Sequence, residues 1–309
     1  MSSTWQDEHR KGIAVSELSA IMGLNPYKSP VQVFMDKMGM SEDTQDNLAM
    51  KLGRKLEPVI GELFTEETGL RVTGGEITVH PTRPLIIGTP DFLVLDRNAG
   101  MEAKSTGYLK QDEWGAQMTD LMPMHYLMQC HGYIGVTDRE EWFLSLLVGG
   151  NREFRIYRVQ RDRDAENQML DFAEAWYRKH VEGQTPPDLD ATKSSDAYLK
   201  RMFPKHKFDD LLAATAEQIN LLETLAQRKA ALKALETETD TLENQVKAAI
   251  GDAAGLVGNG YKATWKANSD SRVIDYKALV AELAPPVEIV EKHTTTKPGP
   301  RVLRLTEAK

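Results

Sequence analysis

The sequence predicts an α/β fold that carries a long helix and a small α+β appendage at its C-terminal end. Three observations predict it. Short apolar runs at 85–87 and 92–95, and a third beginning at Met101, have strand length and are separated by turn residues. Helix-period segments lie on either side of them, at 59–68 and 124–136. From 209 to 250 the chain has neither Pro nor Gly and is rich in Ala, Leu, Glu and Lys. The chain therefore divides into residues 1–208 and 209–309.

In order, Glu17-Leu18-Ser19-Ala20-Ile21-Met22 reads as a short helix with Ser16 placed to cap it. Gly53-Arg54-Lys55-Leu56-Glu57-Pro58 opens the periodic segment 59–68, which puts Glu57 near a helix start and Pro58 in the first turn. The run 92–95 ends in Asp96-Arg97-Asn98-Ala99-Gly100, a turn signal, and a strand follows. Period-two geometry puts Glu102 and Lys104 on one face and Ala103 on the other. A hairpin there brings Asp91 beside them. Gln129 and Tyr133, four residues apart, share one helix face. Residues 154–159 alternate, with Arg155 and Tyr157 on one face and Phe154, Ile156 and Arg158 on the other.

Residues 164–183 form an amphipathic helix with Met169, Leu170, Phe172, Ala173, Trp176 and Tyr177 inward, ended by Gln184-Thr185-Pro186-Pro187-Asp188. Residues 185–208 are polar and loop-like. In 209–250, Leu221, Leu225, Leu232, Leu235, Leu242 and Val246 recur at alternating spacings of four and three, interrupted by Arg228 and Thr239. That pattern suits a coiled coil, and equally a long helix packed on its own core. Asn259-Gly260 between short apolar strands signals a hairpin. A short helix at 275–283, a strand at 287–291 after Pro285-Pro286, and a last strand at 301–305 complete the tail.

The chemistry concentrates at Pro90-Asp91 and Glu102-Ala103-Lys104. Two carboxylates and a lysine meeting at one end of a sheet suit metal-assisted hydrolysis. The acids hold a hard cation such as Mg²⁺ through oxygen. The lysine orients or deprotonates water, or neutralises developing charge. Each part also has a plain structural alternative. Charged side chains decorate strands; Glu57 complements a helix N-terminus; Gln129 and Tyr133 form a polar rim; Ser16 is a cap. Arg10 with Ser16 at a helix start also suits a phosphate.

Composition narrows the classes. The 309 residues are 41% hydrophobic and 27% charged, as in soluble globular proteins. No apolar run approaches the roughly 18 residues that span a bilayer. The first ten residues lack the apolar region of a signal peptide, so a cytoplasmic setting is expected. The single cysteine, Cys130, excludes an internal disulfide framework and a four-cysteine iron–sulfur cluster, and reads as a small buried residue. No phosphate-binding loop appears, and the histidines lack zinc-ligand spacing. Met118, Met122, Met124 and Met128 read as core filler. Net charge is −8, with 25 basic against 31 acidic side chains in 1–208 and 13 against 15 in 209–309. A DNA grip must therefore be local. Arg152, Arg155, Arg158, Arg161 and Arg163 are the candidate basic patch, or else solvated strand ends.

Five stretches in order resemble the YqaJ-type viral recombinases, phage exonucleases related to lambda exonuclease with a PD-(D/E)xK core. They are 12–17 running into Gly23-Leu24-Asn25-Pro26-Tyr27, then 53–58, Gly88-Thr89-Pro90-Asp91, Glu102-Ala103-Lys104, and 122–133 continuing to Trp142 and Gly149-Gly150. The resemblance spans about residues 8–190. It implies a restriction-endonuclease-like core, a mixed sheet flanked by helices. It implies that Asp91, Glu102 and the main-chain carbonyl of Ala103 hold Mg²⁺ or Mn²⁺, and that Glu57 ligates directly or through water. Lys104 would be the catalytic lysine. Gln129 would position water or DNA, with Tyr133 and Arg54 in support, and Arg10 and Ser16 would receive a 5′-phosphate. The activity implied is 5′-to-3′ degradation of linear duplex ends, leaving a 3′ strand for a single-strand annealing recombinase in phage-type recombination. A trimer is implied too, as is a phage or prophage gene. The rival readings are a nicking or structure-specific endonuclease, and a non-catalytic module that binds DNA ends or a partner.

Overall fold

Period-two runs and capped helical segments become the elements of the molecule in a computed structural model. It describes residues 12–41, 47–107, 113–149, 153–207, 211–271, 273, 275–295, 303 and 305. The chain divides into two units, Met1–Met202 and Phe203–Lys309.

In the first unit the strands are Ile13–Ala14 (β1), Val72–Gly74 (β2), Thr78–Val79 (β3), Ile86–Gly88 (β4), Phe92–Val94 (β5), Ala99–Thr106 (β6), Glu141–Val148 (β7) and Glu153–Gln160 (β8). Five build a mixed sheet in the order β2-β5-β6-β7-β8, parallel between β6 and β7 and antiparallel elsewhere. A smaller sheet joins β1, β4 and β3. The helices are Leu18–Ile21 (α1), Pro30–Lys37 (α2), Leu48–Thr68 (α3), Met124–Thr137 (α4), Arg163–Trp176 (α5) and Lys193–Met202 (α6).

Alternation along β7 divides the interior. Trp142, Leu144, Leu146 and Val148 enter the larger core, which takes in Met128, Cys130, Tyr133 and Ile134 of α4 and Met169, Leu170 and Ala173 of α5. Phe143 enters the smaller one with Phe64 of α3, Val94, Met101 and Ile156. The sheet thus lies between α3 on one face and α4 with α5 on the other, the arrangement expected of a restriction-endonuclease-like core. Close approach fixes Gly100: a Cβ there would lie 2.1 Å from the Trp142 ring.

Several elements depart from expectation. Helix α3 begins where Asn47 accepts the N–H of Met50 at 2.9 Å, and it runs through Pro58 to Gly69, whose φ is 72°. Glu57 therefore lies mid-helix. Good helix formers at 48–52 extend the helix ahead of the proline, which lacks the N–H that a helix directs four residues back. Residues 193–202, expected as loop, form α6. Its apolar face is too thin to read, since only Ser195 and Tyr198 are buried. Met122 and Met128 fill the core, but Met118 and Met124 are exposed. The helix at 164–183 resolves into α5 and a π-helical turn at Tyr177–Glu182. No helix of the described residues is long and apolar enough to cross a membrane.

One buried ion cluster ties the N-terminal elements together. Glu17 accepts the N–H of Ala14 at 3.0 Å and faces Lys37 Nζ at 2.5 Å and Lys28 Nζ at 3.2 Å. Burial opposes ionisation of Glu17, but the two ammonium groups outweigh it and hold its pKa below the ordinary value. A depressed acid stabilises the fold above its unfolded pKa and loses that contribution as pH falls through its folded value. Glu17→Ala leaves a buried lysine without this carboxylate and is expected to cost about 3 kcal/mol in urea unfolding at neutral pH. An unchanged midpoint would contradict it.

The second unit holds the helix Ala216–Ile250 (α7), the hairpin Gly255–Gly258 (β9) with Tyr261–Thr264 (β10), and the helices Tyr276–Leu283 (α8) and Val287–Lys292 (α9). Helix α7 starts later than expected because Thr215 and Gln218 form a reciprocal cap. Its Leu221, Leu232, Leu235 and Leu242 are exposed. Asn259 and Gly260 have φ of 51° and 82°, a type I′ turn. Residues 287–292 are helical, not a strand. Pro286 stands at the cap position with extended backbone, and no described strand pairs with them. The expected strand 301–305 lies largely outside the described residues.

Candidate active site

Asp91 is brought to its neighbours by the hairpin of β5 and β6. Phe92 pairs with Met101, so Asp91 stands opposite Glu102. Asp91 Oδ2 accepts the N–H of Ala103 at 2.8 Å, which anchors the carboxylate on the catalytic strand candidate. Glu102 and Lys104 point to the α4 side of the sheet. Glu102 is 2% exposed, and its Oε1 contacts Lys104 Nζ directly and accepts from Gln129 Nε2 at 2.7 Å. Gln129 Nε2 also reaches Tyr133 Oη at 3.3 Å, and that hydroxyl donates to the Thr89 carbonyl at 3.1 Å. One helix face thus holds the carboxyl from above, as the four-residue spacing requires.

The electrostatics follow from crowding. Burial, then the Asp91 charge, pushes the Glu102 carboxyl up to about 8, against an opposing pull from Lys104. Burial disfavours the Lys104 ammonium, but Glu102 and Asp91 outweigh it and hold its pKa above the ordinary lysine value. Glu57 on α3 feels the same group of charges. Burial and Asp91 raise it while Lys104 lowers it. The structure therefore gathers Asp91, Glu102, Lys104, Gln129 and Tyr133 by contact, and Glu57 by electrostatic coupling.

The residues fit a cation. Oε2 of Glu102 is buried and accepts no hydrogen bond, and the Asp91 carboxyl lies beside Glu102, so two acidic groups share one place as the ligands of a cation do. Among the described residues no three His, Cys, Asp or Glu side chains form a ready cage. A hard cation here would draw on Glu102, Asp91, a main-chain carbonyl such as that of Ala103, and water, which suits Mg²⁺.

Ser16 is exposed in a 3₁₀ turn, Val15–Glu17, and does not cap α1, because that turn carries helical backbone past Ser16 and leaves Glu17 at the cap position. Arg54 is one turn before Glu57 on α3. Arg10 and Arg152 lie outside the described residues. Arg155, Arg158, Arg161 and Arg163 each face a carboxylate: Glu153, Glu141, Glu166 and Glu140 respectively. Sequence reasoning missed Tyr126, whose ring centre is 5.8 Å from Lys104 Nζ. Its position three residues before Gln129 on the same helix face was the available signal.

Residues 4–140 match the YqaJ-like viral recombinase domain. The uncharacterized protein YqaJ of Bacillus subtilis (strain 168) is 30% identical over 300 residues, spanning 94% of this chain and 91% of that protein. The chain belongs to the YqaJ-like viral recombinase family. The matched YqaJ-like domain contains Asp91, Glu102, Lys104, Gln129, Tyr133 and Glu57. Among solved structures, an alkaline exonuclease, LHK-Exo, from Laribacter hongkongensis is 19% identical, with a TM-score of 0.46 over 65% of this chain and 97% of its own. A phage related exonuclease from Haemophilus somnus 129PT is 14% identical, with a TM-score of 0.44 over 58% of this chain and 99% of its own.

Proposed function

We propose that this YqaJ-like protein is a divalent-metal-dependent 5′-to-3′ exonuclease that acts on linear double-stranded DNA. It would leave 3′ single strands for a separate annealing protein in homologous recombination. One observation carries the reading: a buried carboxyl with an unpartnered oxygen, set between a second carboxylate and an ammonium.

Asp91, Glu102 and the Ala103 carbonyl would hold Mg²⁺ or Mn²⁺, with Glu57 joining directly or through water. When bound, the cation supplies positive charge to the scissile phosphate and to the water that attacks it. Lys104, charged and aimed at the same spot, donates hydrogen bonds to the phosphate and offsets the charge that grows there. Gln129 fixes Glu102 and Tyr133 fixes Gln129, so the carboxyl cannot swing away. Water forms a bond to phosphorus, the bond from phosphorus to the 3′ oxygen breaks, and that oxygen takes a proton. A 5′-mononucleotide leaves.

The test is a time course on end-labelled linear duplex with Mg²⁺, run beside covalently closed circular DNA. Mononucleotide release from the linear form alone supports the proposal. Nicking of the circle would replace it with an endonuclease. Ser16, together with Arg10, is proposed to receive the terminal 5′-phosphate. Dephosphorylated duplex is then expected to be degraded about tenfold more slowly, from the loss of charge-assisted hydrogen bonds. Identical rates on both ends would remove that assignment.

A further inference from the structure

A ladder of aromatic rings runs from the core to the surface past Lys104. Buried Tyr157 meets Trp114 with ring centres 4.9 Å apart, and Trp114 meets Tyr126 at 5.7 Å. Tyr126 meets His125 at 4.0 Å, and His125 and Tyr27 meet in a T-shaped arrangement at 5.9 Å and 81°. The ammonium of Lys104 lies 5.8 Å from the Tyr126 ring centre, so the ladder passes beside the proposed reaction centre.

Its outermost rung is unusual. Tyr27 is 83% exposed, so burial contributes little to holding it there. Its backbone is nevertheless fixed. Asn25 Oδ1 accepts the N–H groups of Tyr27 at 2.8 Å and Lys28 at 3.2 Å, and Asn25 Nδ2 donates to Ser19 Oγ at 3.1 Å. Pro26 restricts the intervening backbone. Lys28 is held in turn by Glu17 at 3.2 Å and Asp36 at 2.7 Å. An exposed ring on a braced loop, backed by a second ring, is presented in advance of any ligand.

Charge points to the same use. The protein carries a net charge of −8, and the arginines of the strand β8 region are engaged by the protein's own carboxylates. Little electrostatic grip on a phosphate backbone comes from that patch. Stacking on an aromatic face binds nucleic acid without charge and without regard to base identity.

We propose that Tyr27, backed by the His125 ring set nearly perpendicular to it, forms a stacking platform for an unpaired nucleobase of the DNA strand whose phosphate is held at Lys104. This deepens the exonuclease reading and rests on it. The ladder gives one nucleotide two fixed points, its phosphate at the ammonium and its base on the Tyr27 ring. Tyr27 is thus a positioning residue, and the terminal base must leave its partner to reach it.

Binding decides the matter in chelator, where nothing is cut. The full chain is titrated with a fluorescent 5′-phosphorylated duplex bearing a short frayed end, and with the same DNA made abasic at its terminal positions. The wild type is expected to bind the base-bearing end about tenfold more tightly. Tyr27→Ala should erase that preference while Tyr27→Phe keeps it. The preference should hold between about 50 and 200 mM salt, since it owes nothing to counterion release. Equal wild-type affinity for both DNAs, no measurable binding, or a Tyr27→Ala loss identical on both would overturn the platform. Hydrolysis of linear duplex with Mg²⁺, run in parallel, reads the exonuclease proposal separately. A base preference without hydrolysis would end that proposal and leave the stacking site standing.

Discussion

Glu102→Gln is expected to abolish nuclease activity in a folded protein. Acid-soluble nucleotide released from linear duplex should fall on the order of 10³-fold or more, the cost of losing several kcal/mol of metal-borne stabilisation. The amide keeps the shape of the carboxyl and can still meet Gln129, so the β6–α4 contact survives. What it loses is the carboxyl oxygen that would become anionic on holding a cation. Turnover within tenfold of the wild type would reject the assignment. The same variant tests the electrostatics. The folded-state pKa of Glu102, about 8, lies above its ordinary 4.5. A raised pKa gives a stabilising contribution that is complete below about 4.5 and is lost as pH rises through about 8. Metal-free wild type should therefore melt at a lower temperature near pH 9 than near pH 5, and Glu102→Gln should flatten that slope. An unchanged slope would mean that Glu102 is already ionised at low pH.

Lys104→Ala is expected to reduce the rate on the order of 10²- to 10³-fold, as removal of a preorganised charged donor does. DNA affinity should change far less, because Lys104 is one contact among many in binding and is aimed at charge that develops only as the phosphate reacts. Single-turnover cleavage and chelator-based binding separate the two. Matched losses in rate and affinity would make it a binding lysine. Lys104→Arg should not rescue the rate, since a wide planar fork does not fit where a compact ammonium touches both Glu102 and the Tyr126 ring.

Much of the site's geometry could be read locally. The hairpin that sets Asp91 opposite Glu102 has its strand runs and its turn signal within about a dozen residues, and the face shared by Gln129 and Tyr133 follows from helical period alone. Glu57 was harder. A proline normally marks a first turn, and here a capped, strongly helical stretch from Leu48 carries the helix through it. The short helices α6 and α9 were missed for opposite reasons. The first has almost no apolar face, and the second has β-branched residues but no strand among the described residues to pair with. The rings of Tyr27, Trp114 and Tyr126 come from separate parts of the chain, and only tertiary folding makes them neighbours. Arg10 lies outside the described residues, so the phosphate pocket stands on sequence reasoning alone.

The strand bearing Glu102 and Lys104 is paired with its buried neighbour residue by residue, from Ala99 with Glu141 to Thr106 with Val148. It is therefore indexed from the interior and not from the exposed loop at 95–98. Descendants of this chain can lengthen or shorten that loop without disturbing where Glu102 and Lys104 stand, whereas Asp91, placed through the hairpin, would shift. One residue inserted within 141–148 would act differently: it would exchange inward and outward side chains along the neighbour and leave an inherited protein with the right residues facing the wrong way.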